Sequence, residues 1–387
     1  MKILHIIPTL AKGGAERLVL DICDQLSRIN HVEAKLVIFR NEVKYDISDY
    51  TFEIKVIPSK ISLSLIRKAK FEISELVGFI LEYQPDIIHS HLFEAELISR
   101  TLDYPSAKWF SHCHDNMIQM RQFNLSTLFN KSYFTNFYEK KYLFKRYKIN
   151  QGTQFIAISN HTSHYFNKIQ SLYKVSLLNN AIDVNRYTRS SELIKSNSEE
   201  IRVVNIGSFV KKKNQAFLID IILRLNKMGI RTKTYFLGDG PTRNEVEEKA
   251  KLLGVSDQCF FEGNVDKVEH YLWNSDVYIH TATYEPLGLV ILEAMTSGIP
   301  VICFDGKGNR DLMIHGKNGY IFQEENAEMF AEQIIELMND SEKYKEISSF
   351  AKEFSLQFDI ENYCEKLVQI YQNSISELSE SNRVNGQ

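Results

Sequence analysis

Short apolar runs alternate with longer amphipathic stretches along nearly the whole chain, and this alternation limits the folds that the chain can adopt. Several of the runs are apolar at almost every position, as expected for strands that helices cover on both faces. Strands that alternate with helices in this way predict parallel sheets of βαβ units, which is the α/β fold class. The predicted strands are 2–7, 34–39, 86–90, 107–112, 154–158, 202–206, 232–237, 258–261, 276–280 and 300–304.

The alternation pauses near residue 180, where the stretch 179–183 and the polar stretch 190–200 precede a new strand. A chain of 387 residues also exceeds the usual size of one domain. We therefore predict two Rossmann-like, doubly wound domains, at 1–180 and 181–358, that face each other across a cleft. A last helix at about 359–377 is a candidate to pack back on the first domain.

Composition argues against several other classes of protein. Hydrophobic residues make up 44% of the chain, which is too many for a disordered protein. No apolar run approaches the roughly 18 residues of a membrane span, and the N-terminus lacks the pattern of a signal peptide. The five cysteines form no Cys-x-x-Cys pair and are expected as reduced thiols of a cytoplasmic protein. The net charge of −3, with a basic first half and an acidic second half, argues against nucleic-acid binding.

The segment 280–295 combines two carboxylates with a predicted helix start. We place Pro286 as the first helical residue, so that the amides of 287–289 point out of the N-terminus, where a diphosphate binds well. Glu285 precedes this helix, and Glu293 lies about 12 Å further along it. This separation suits one carboxylate that holds a hexose hydroxyl and another that holds a ribose across a bridging diphosphate.

Three further patterns lie where strands end. The pair Gly13-Gly14 between the first strand and helix permits positive φ and a close approach of an anion. The basic loop 211–213 follows strand 202–206 and supplies the positive charge that a leaving diphosphate needs. Histidines cluster at 89–91 and 112–114, at the edge where a doubly wound sheet binds ligands.

Other site signatures do not occur in the sequence. It has no Asp-x-Asp pair, no P-loop and no Gly-x-Gly-x-x-Gly after a strand, and no structural zinc spacing. These absences argue against a metal-bound diphosphate, a P-loop NTPase and a dinucleotide enzyme. We therefore expect no cofactor and no zinc site.

In their order and spacing, these motifs resemble the retaining GT-B glycosyltransferases of family 4 (glycosyltransferase group 1). The most specific motif is Glu-Pro-Leu-Gly-Leu-x3-Glu-Ala at 285–294. The resemblance spans essentially the whole chain, implies a GT-B fold, and is nearest to enzymes of bacterial capsule, exopolysaccharide or O-antigen assembly. The other matching segments are 13–17, 237–241, 261–265, 274–276, 298–302, 308–312 and 316–319.

The resemblance implies a role for each matching residue at the donor site. Catalysis is expected from His114, which faces the donor sugar, from Lys213 at the donor phosphate, and from Glu285 at the hexose. Glu293 is expected to hold the ribose. The other expected donor contacts are the diphosphate with Gly13 and Gly14, the phosphate with the backbone of Leu287, Gly288 and Leu289, and the base with Gly263, Asn264 and Val265.

The sequence departs from the family at one position. Ser208 stands where the family has an arginine directly after the glycine of this loop. A serine donates one hydrogen bond but carries no charge. Either Lys211 or Lys212 compensates, or Arg310 does, or the site is less electropositive than in its relatives.

The resemblance implies a metal-independent, retaining transfer of a hexose or N-acetylhexosamine from a nucleotide diphosphate sugar, with a UDP-sugar favoured. The acceptor is expected to be a glycan or a lipid-linked saccharide in bacterial surface polysaccharide assembly. Two alternatives stay open. One is a nucleotide-sugar epimerase of the same fold, and the other is a non-catalytic nucleotide-sugar-binding partner of an assembly complex, which only Ser208 motivates.

The stretch 131–148 interleaves basic residues, among them Lys140, Lys141 and Arg146, with aromatic ones. Basic-aromatic helices bind the anionic headgroup layer of membranes, which suits a peripheral enzyme on the inner face of the cell membrane. The equally acceptable interpretation is a helix whose aromatic side chains fill the core while its lysines face water.

Overall fold

The computed structural model describes residues 1–48, 50–63, 70–117, 131–149, 153–169, 173–189 and 200–385, with their side chains except those of 131–136, 169 and 377–385. The chain forms two compact units, one of Met1–Asn179 with Ile360–Gln387 and the other of Asn180–Asp359. Both are parallel sheets with helices, as the alternation in the sequence predicts, and the α/β class is confirmed.

The first unit contains a seven-stranded parallel sheet of order β3-β2-β1-β6-β7-β8-β9, while β4 and β5 form a separate antiparallel pair. The strand order reverses between β1 and β6, whose residues are almost all buried. The strands are β1 (Lys2–Ile7), β2 (Glu33–Ile38), β3 (Glu53–Val56), β4 (Lys60–Ser62), β5 (Lys70–Glu72), β6 (Ile87–His91), β7 (Lys108–Cys113), β8 (Gln154–Ala157) and β9 (Lys174–Leu177). The helices are α1 (Gly14–Ser27), α2 (Ser74–Tyr83), α3 (Leu92–Ser99), α4 (Lys131–Ile149) and α5 (Asn160–Ile169).

The second unit contains a six-stranded parallel sheet of order β12-β11-β10-β13-β14-β15, and its strand order reverses between β10 and β13. The strands are β10 (Glu200–Ile206), β11 (Arg231–Leu237), β12 (Cys259–Gly263), β13 (Val277–His280), β14 (Val301–Phe304) and β15 (Tyr320–Phe322). The helices are α6 (Val184–Tyr187), α7 (Gln215–Lys227), α8 (Arg243–Leu252), α9 (Val268–Trp273), α10 (Leu289–Thr296), α11 (Ala327–Asn339) and α12 (Ser341–Ser355).

The helices of the second unit follow from spacing and capping. Phe217, Ile221 and Leu225 recur every four residues along α7 and are all buried, so one face of this helix packs into the core. Helices α11 and α12 begin after Asn326 and Asp340, whose side chains accept hydrogen bonds from the amides two and three residues later. These caps satisfy amides that have no partner within the helix.

The last described helix, α13 (Ile360–Asn385), follows the second unit in the chain but belongs to the first. Its Cys364 Sγ lies 3.8 Å from the carbonyl oxygen of Ile22 on α1. Its Ser374 Oγ accepts a hydrogen bond of 3.0 Å from Gln154 on β8.

Strands β3, β9 and β15 were not among the predicted strands. Each lies at an edge of its sheet, is only three or four residues long and keeps part of its surface exposed. Such strands lack the continuous apolar run by which a buried parallel strand is recognised.

Candidate active site

The reversal of strand order in the second unit brings two loops together. The loop after β10 contains a short 3₁₀ helix at Lys211–Lys213, and the loop after β13 leads to α10. Thr281 Oγ1 donates to the carbonyl oxygen of Lys213 at 2.8 Å, and the amide of Thr283 donates to that of Lys212 at 2.9 Å. The lysine turn is therefore fixed at the topological switch point, where doubly wound sheets bind ligands.

Glu285 lies at the centre of this site. Its Oε2 accepts hydrogen bonds from Lys213 Nζ and from His280 Nε2, the latter at 3.0 Å. Burial by itself raises the pKa of Glu285, which is 8% exposed, but Lys213 and His280 outweigh burial and hold that pKa well below its ordinary value. Glu285 is therefore ionised at neutral pH and acts only as a hydrogen-bond acceptor.

His280 ends strand β13 and was not among the predicted site residues. Burial lowers its pKa, and the Glu285 carboxylate offsets this only in part, so the ring is neutral near pH 7. Because the carboxylate only accepts, His280 carries its proton on Nε2 and accepts at Nδ1 from the hydroxyl of Tyr278, 2.8 Å away. The one sequence signal for His280 is its place at the carboxyl end of a central strand.

The prediction that Pro286 begins the helix is wrong. Helix α10 begins at Leu289, and Gly288 precedes it with φ of 98°, in the left-handed region that favours glycine. The chain before it is held by Glu285, whose amide donates to Gly306 O at 2.7 Å and whose carbonyl accepts from the Gly308 amide at 2.9 Å. Of the amides of 287–289, only that of Leu289 therefore lies in α10, and the amide of Ile291 two residues later already donates to Gly288 O at 2.9 Å. Binding of an anion by the backbone of 287–289 stays a prediction.

Two glycines allow this pairing. A Cβ at Gly308 would lie 1.8 Å from the carbonyl oxygen of Pro286, and a Cβ at Gly306 would lie 2.7 Å from the Cβ atom of Glu285. Any side chain at Gly308 must therefore displace the turn that carries Glu285.

Four more of the predicted donor contacts lie in the second unit, namely Glu293, Gly263, Asn264 and Val265. Glu293 is buried on α10. The pKa of Tyr278 is raised first by burial and then by the charges of Glu285 and Glu293. Gly263 ends β12, and its carbonyl accepts from the Gly238 amide at 2.7 Å. This hydrogen bond connects the start of the loop 263–265 to the end of β11. Asn264 beyond it is exposed, and Val265 is half-buried.

Three cations are candidates to replace the arginine for which this chain has Ser208, and they differ in their surroundings. Arg310 is bound by Asp305, with Nε 2.7 Å from Oδ1 and 2.6 Å from Oδ2. The ammonium of Lys212 lies 5.3 Å from the centre of the Tyr284 ring, while Lys211 is exposed. Of the three candidates, Arg310 is therefore the one whose guanidinium is held by a carboxylate.

In the first unit, neither glycine of the Gly13-Gly14 pair has the expected positive φ. Gly13 is extended, with φ of −170°, and Gly14 is the first residue of α1. The amide of Gly13 donates to Tyr45 Oη at 2.9 Å, and its carbonyl accepts from the same hydroxyl at 2.8 Å. Tyr45 therefore holds the loop from both sides in this structure.

Five buried histidines form a row on one face of the first sheet. The strand register places His5 beside His89 and His91 beside His112, so these side chains share a face with His114. His114 is 9% exposed, whereas the other four are at most 1% exposed. The predicted site residue is thus the outermost member of a buried cluster that includes His5, which sequence reasoning missed.

Two groups of three histidines in this row lie close enough together to be candidate ligands of a metal ion. Ring nitrogens of His5, His89 and His91, and likewise of His91, His112 and His114, lie within 4.8 Å of one another. Some of these nitrogens are hydrogen-bonded to each other, His5 Nδ1 to His91 Nε2 at 2.9 Å and His91 Nδ1 to His114 Nε2 at 3.0 Å. The absence of a metal ion from the reaction stays a prediction.

Helix α4 has a buried face and a basic face. Leu143 and Tyr147 are buried, and Arg146 donates to the carbonyl oxygens of Thr101 and Leu102, at 3.2 and 2.7 Å. The Arg146 side chain therefore binds protein carbonyl groups, and the exposed lysines among residues 137–149 of this helix are Lys141, Lys145 and Lys148. Within the described part of the chain, no helix has the length and hydropathy of a membrane span.

Comparison with known proteins agrees with this architecture. Two family models match most of the chain, Glycosyltransferase Family 4 over residues 12–186 and Glycosyl transferases group 1 over residues 188–354. EpsF of Bacillus subtilis (strain 168) is 23% identical over 327 residues, which is 79% of either chain. The lipopolysaccharide core biosynthesis glycosyltransferase LpsE of Rhizobium meliloti (strain 1021) is 34% identical over 139 residues, which is 36% of this chain and 40% of LpsE.

A solved structure shares the fold over nearly the whole length. HepE of Anabaena, solved in complex with UDP, superposes with a TM-score of 0.75 at 21% identity and covers 96% of this chain and 100% of its own. The second family model contains the Lys213–Glu285–His280 cluster, and the first contains the histidine row from His89 onward. The chain therefore belongs to the group 1 glycosyltransferases and has their GT-B fold.

Proposed function

We propose that this chain is a retaining glycosyltransferase that moves a hexose or N-acetylhexosamine from a nucleotide diphosphate sugar, a UDP-sugar by preference. The acceptor that we propose is a glycan or lipid-linked saccharide of a bacterial surface polysaccharide. The observation that carries the proposal is the contact of Lys213 and His280 with one oxygen of Glu285 at the switch point of the second unit. LpsE, named for lipopolysaccharide core biosynthesis, and HepE, solved with UDP and with UDP-glucose, support the choice of acceptor and donor.

The cluster suits a donor that carries both a sugar and a diphosphate. Lys213 supplies positive charge for the departing diphosphate, together with the backbone amides of Leu287, Gly288 and Leu289. Among the described residues, the side-chain hydrogen bonds of Glu285 are made by Oε2, and we assign Oε1 to a hydroxyl of the sugar. Glu293 is assigned to the ribose, and Gly263, Asn264 and Val265 to the base.

The electrostatics of Glu285 favour binding over proton transfer. A carboxylate whose pKa lies well below its ordinary value is a weak base and a weak nucleophile near pH 7. We therefore propose that the donor phosphate assists deprotonation of the acceptor on the face from which it leaves, which retains the anomeric configuration. On the family's motifs, His114, Gly13 and Gly14 are assigned to the same donor, and no metal ion takes part.

Thermal unfolding with UDP, GDP, ADP and CMP, each with and without magnesium, tests the donor site. A ligand at 100 times its Kd stabilises the protein by about 2.7 kcal/mol, which gives a clear shift of the midpoint. We expect UDP to shift the midpoint without magnesium and Lys213→Gln to abolish the shift. Lys251→Gln, which changes an exposed lysine on α8 of the same unit, is the control. A shift that needs magnesium would contradict metal independence, and no shift with any nucleotide would contradict the site.

Product analysis separates transfer from the two alternatives. Incubation with the UDP-sugar alone must leave the sugar unchanged, whereas an epimerase converts it without an acceptor. Addition of a lipid-linked saccharide must release UDP and extend the saccharide with the anomeric configuration of the donor. Tight UDP binding with no turnover on any acceptor would identify a non-catalytic binding partner instead.

We also propose that the basic face of α4 rests on an anionic membrane at the inner face of the cell. Lys141, Lys145 and Lys148 are spaced four and three residues apart and lie on one side of the helix, with Phe137 one turn before them. Cosedimentation with vesicles that contain anionic lipid is expected for the parent and lost after charge reversal of the three lysines. Charge reversal of the exposed Lys251 and Lys345 in the second unit is the control. Failure of the parent to cosediment would overturn the proposal.

A further inference from the structure

We infer that His5 and His91 fix the tautomer of His114, so that His114 offers an N–H at Nδ1 to its ligand and no basic nitrogen. These three residues are called the histidine chain below. The inference about the ring rests on contacts within the first unit alone. Its meaning for catalysis rests on the proposed function, in which the ligand is the donor sugar.

The histidine chain is a continuous series of hydrogen bonds. His5 Nδ1 lies 2.9 Å from His91 Nε2, and His91 Nδ1 lies 3.0 Å from His114 Nε2. A neutral imidazole has one donor and one acceptor nitrogen. The direction of one bond therefore determines the direction of the other, and only two arrangements of protons are possible.

All three rings are neutral near pH 7. Burial, followed by the neighbouring His112, lowers the pKa of His5 to about 3. Burial is also the largest cause that lowers the pKa of His91 and His114, with further contributions from other rings of the row. No charged member disturbs the alternation of donors and acceptors.

The inner end of the chain selects one arrangement. His5 Nε2 is buried and has no hydrogen-bond partner among the described residues. In one arrangement this atom carries a proton and is a buried N–H without an acceptor, which is rare in proteins. In the other it carries only a lone pair, and the proton of His5 lies on Nδ1, where it is donated to His91. The second arrangement avoids the orphaned donor.

The protons of the other two rings follow from this choice. His91 accepts at Nε2, carries its proton on Nδ1 and donates it to His114 Nε2. His114 accepts at Nε2 and must carry its own proton on Nδ1. His91 is therefore a positioning residue that acts on the ligand through His114.

The neighbouring rings keep the chain in place. His89 stacks on His91 with ring centres 4.5 Å apart, and His112 stacks on His114 at 4.1 Å with planes 9° apart. His89 is outside the chain because its Nδ1 bonds to the hydroxyl of Tyr371 at 2.5 Å. Rotation of a ring out of the chain would have to disturb these stacks.

The tautomer decides what His114 does with a ligand. An N–H at Nδ1 donates to an oxygen with a free lone pair, such as a sugar hydroxyl, and does not accept a proton from it. The structure therefore points to His114 as a hydrogen-bond donor to the sugar and excludes it as the base that activates the acceptor.

The test is ¹⁵N NMR of the full chain with ring-labelled histidine, at neutral pH and with EDTA to remove adventitious metal. Protonated and bare ring nitrogens have well-separated ¹⁵N shifts, and a His114→Gln variant identifies the signals of His114. We expect a protonated Nδ1 and a bare Nε2 in the parent. A protonated Nε2 on His114 in the parent would overturn the inference without any variant.

Two variants of His91 then test the link. His91→Asp places a carboxylate near the position of Nδ1, and because an ionised carboxylate only accepts, His114 should carry a proton on Nε2. His91→Asn has the same shape but keeps an N–H donor, and it should retain the Nδ1–H tautomer with a bare Nε2. His89→Asn, a substitution on the same strand outside the chain, should leave His114 unchanged. A bare Nε2 on His114 in His91→Asp would also overturn the inference.

Transfer assays connect the tautomer to function. Loss of the fixed hydrogen bond to the sugar should lower kcat/KM about tenfold in His91→Asp, with recovery in His91→Asn. If the parent transfers no sugar, the proposed function fails while the tautomer result stands. If the parent transfers sugar and the tautomer does not depend on His91, only the present inference fails.

Discussion

His280 Nε2 lies 3.0 Å from Glu285 Oε2, the same oxygen that Lys213 Nζ contacts. The carboxylate is thus held between a neutral ring from the end of a strand and a lysine from a neighbouring loop. Tyr278, two residues before His280 on β13, fixes the ring from the other side. The charge and the orientation of Glu285 are set before any ligand arrives, which is the kind of preorganisation that catalytic sites require.

Replacement of Glu285 by glutamine is expected to lower kcat/KM by about 100-fold or more, because Lys213 loses the partner that positions it. Glu293→Gln should cost far less, since Glu293 is assigned to the ribose, away from the bond that breaks. Steady-state kinetics with the UDP-sugar measure both variants. Near-normal turnover of Glu285→Gln would refute the central role of this residue.

Alanine at Gly308 should displace the turn that carries Glu285, because its Cβ would lie 1.8 Å from Pro286 O. We expect a loss of about 1–3 kcal/mol in the free energy of unfolding, together with weaker UDP binding. Gly78→Ala is the control, since its Cβ meets nothing within 4 Å and its helix should gain up to about 1 kcal/mol. Unchanged UDP binding in Gly308→Ala would contradict the described pairing of this turn.

Stability should fall as the pH drops below about 6.5, because four rings of the histidine row stay neutral in the folded protein. Burial is the largest cause that lowers the pKa of His5, His89, His91 and His114. The unfolded chain takes up protons at these residues below pH 6.5, whereas the folded chain does not. At pH 5.5 the loss is about 1.4 kcal/mol for each such histidine, and for His5 it continues to grow down to about pH 3.

Urea unfolding at pH 8, 6.5 and 5.5 measures this loss. His89→Phe should make the stability less dependent on pH in the acidic range, because one protonation of the unfolded state is removed. Equal stability of the parent at pH 8 and 5.5 would show that these rings are protonated in the folded protein.

Glu96 and Arg100 form a buried ion pair on α3 and at its end, with Arg100 Nε 2.9 Å from Glu96 Oε1 and neither side chain more than 2% exposed. Glu96→Gln leaves the Arg100 charge buried without a counter-charge and should destabilise the protein by about 3–5 kcal/mol. The double variant with Arg100→Met should be more stable than Glu96→Gln alone. A double-mutant cycle by urea unfolding checks this, and additive losses would contradict a direct coupling.

The central strands and the order of helices were predictable because their signals are local. Strand β1 is found at Lys2–Ile7, where the apolar run predicts it. The start of α10 was not predictable from Pro286, because it depends on the pairing of Glu285 with Gly306 and Gly308, about 20 residues away. The link between His5 and His91 is also invisible locally, since it arises from the register of β1 beside β6.

The site residues also divide into those with a local sequence signal and those that only the fold reveals. Glu285, Lys213 and His114 were identified as residues with family motifs, and their roles stay predictions. His280 carries no motif, and only the fold shows that its ring meets the carboxylate. Similarly, Arg146 has the pattern of a surface cation, yet it caps the carbonyl groups at the end of α3, a contact across 44 residues of chain.

Helix α13 has a consequence for how the protein is made. The chain leaves the first unit after Asn179 and returns to it only at Ile360, so the second unit is an insertion in the first. A ribosome therefore releases all of the second unit before Tyr371, which bonds to His89, and before Ser374, which bonds to Gln154. A nascent chain that stalls after Asp359 would hold one finished unit and one that still lacks its covering helix. The first unit is therefore the first to be synthesised in part and the last to complete its fold.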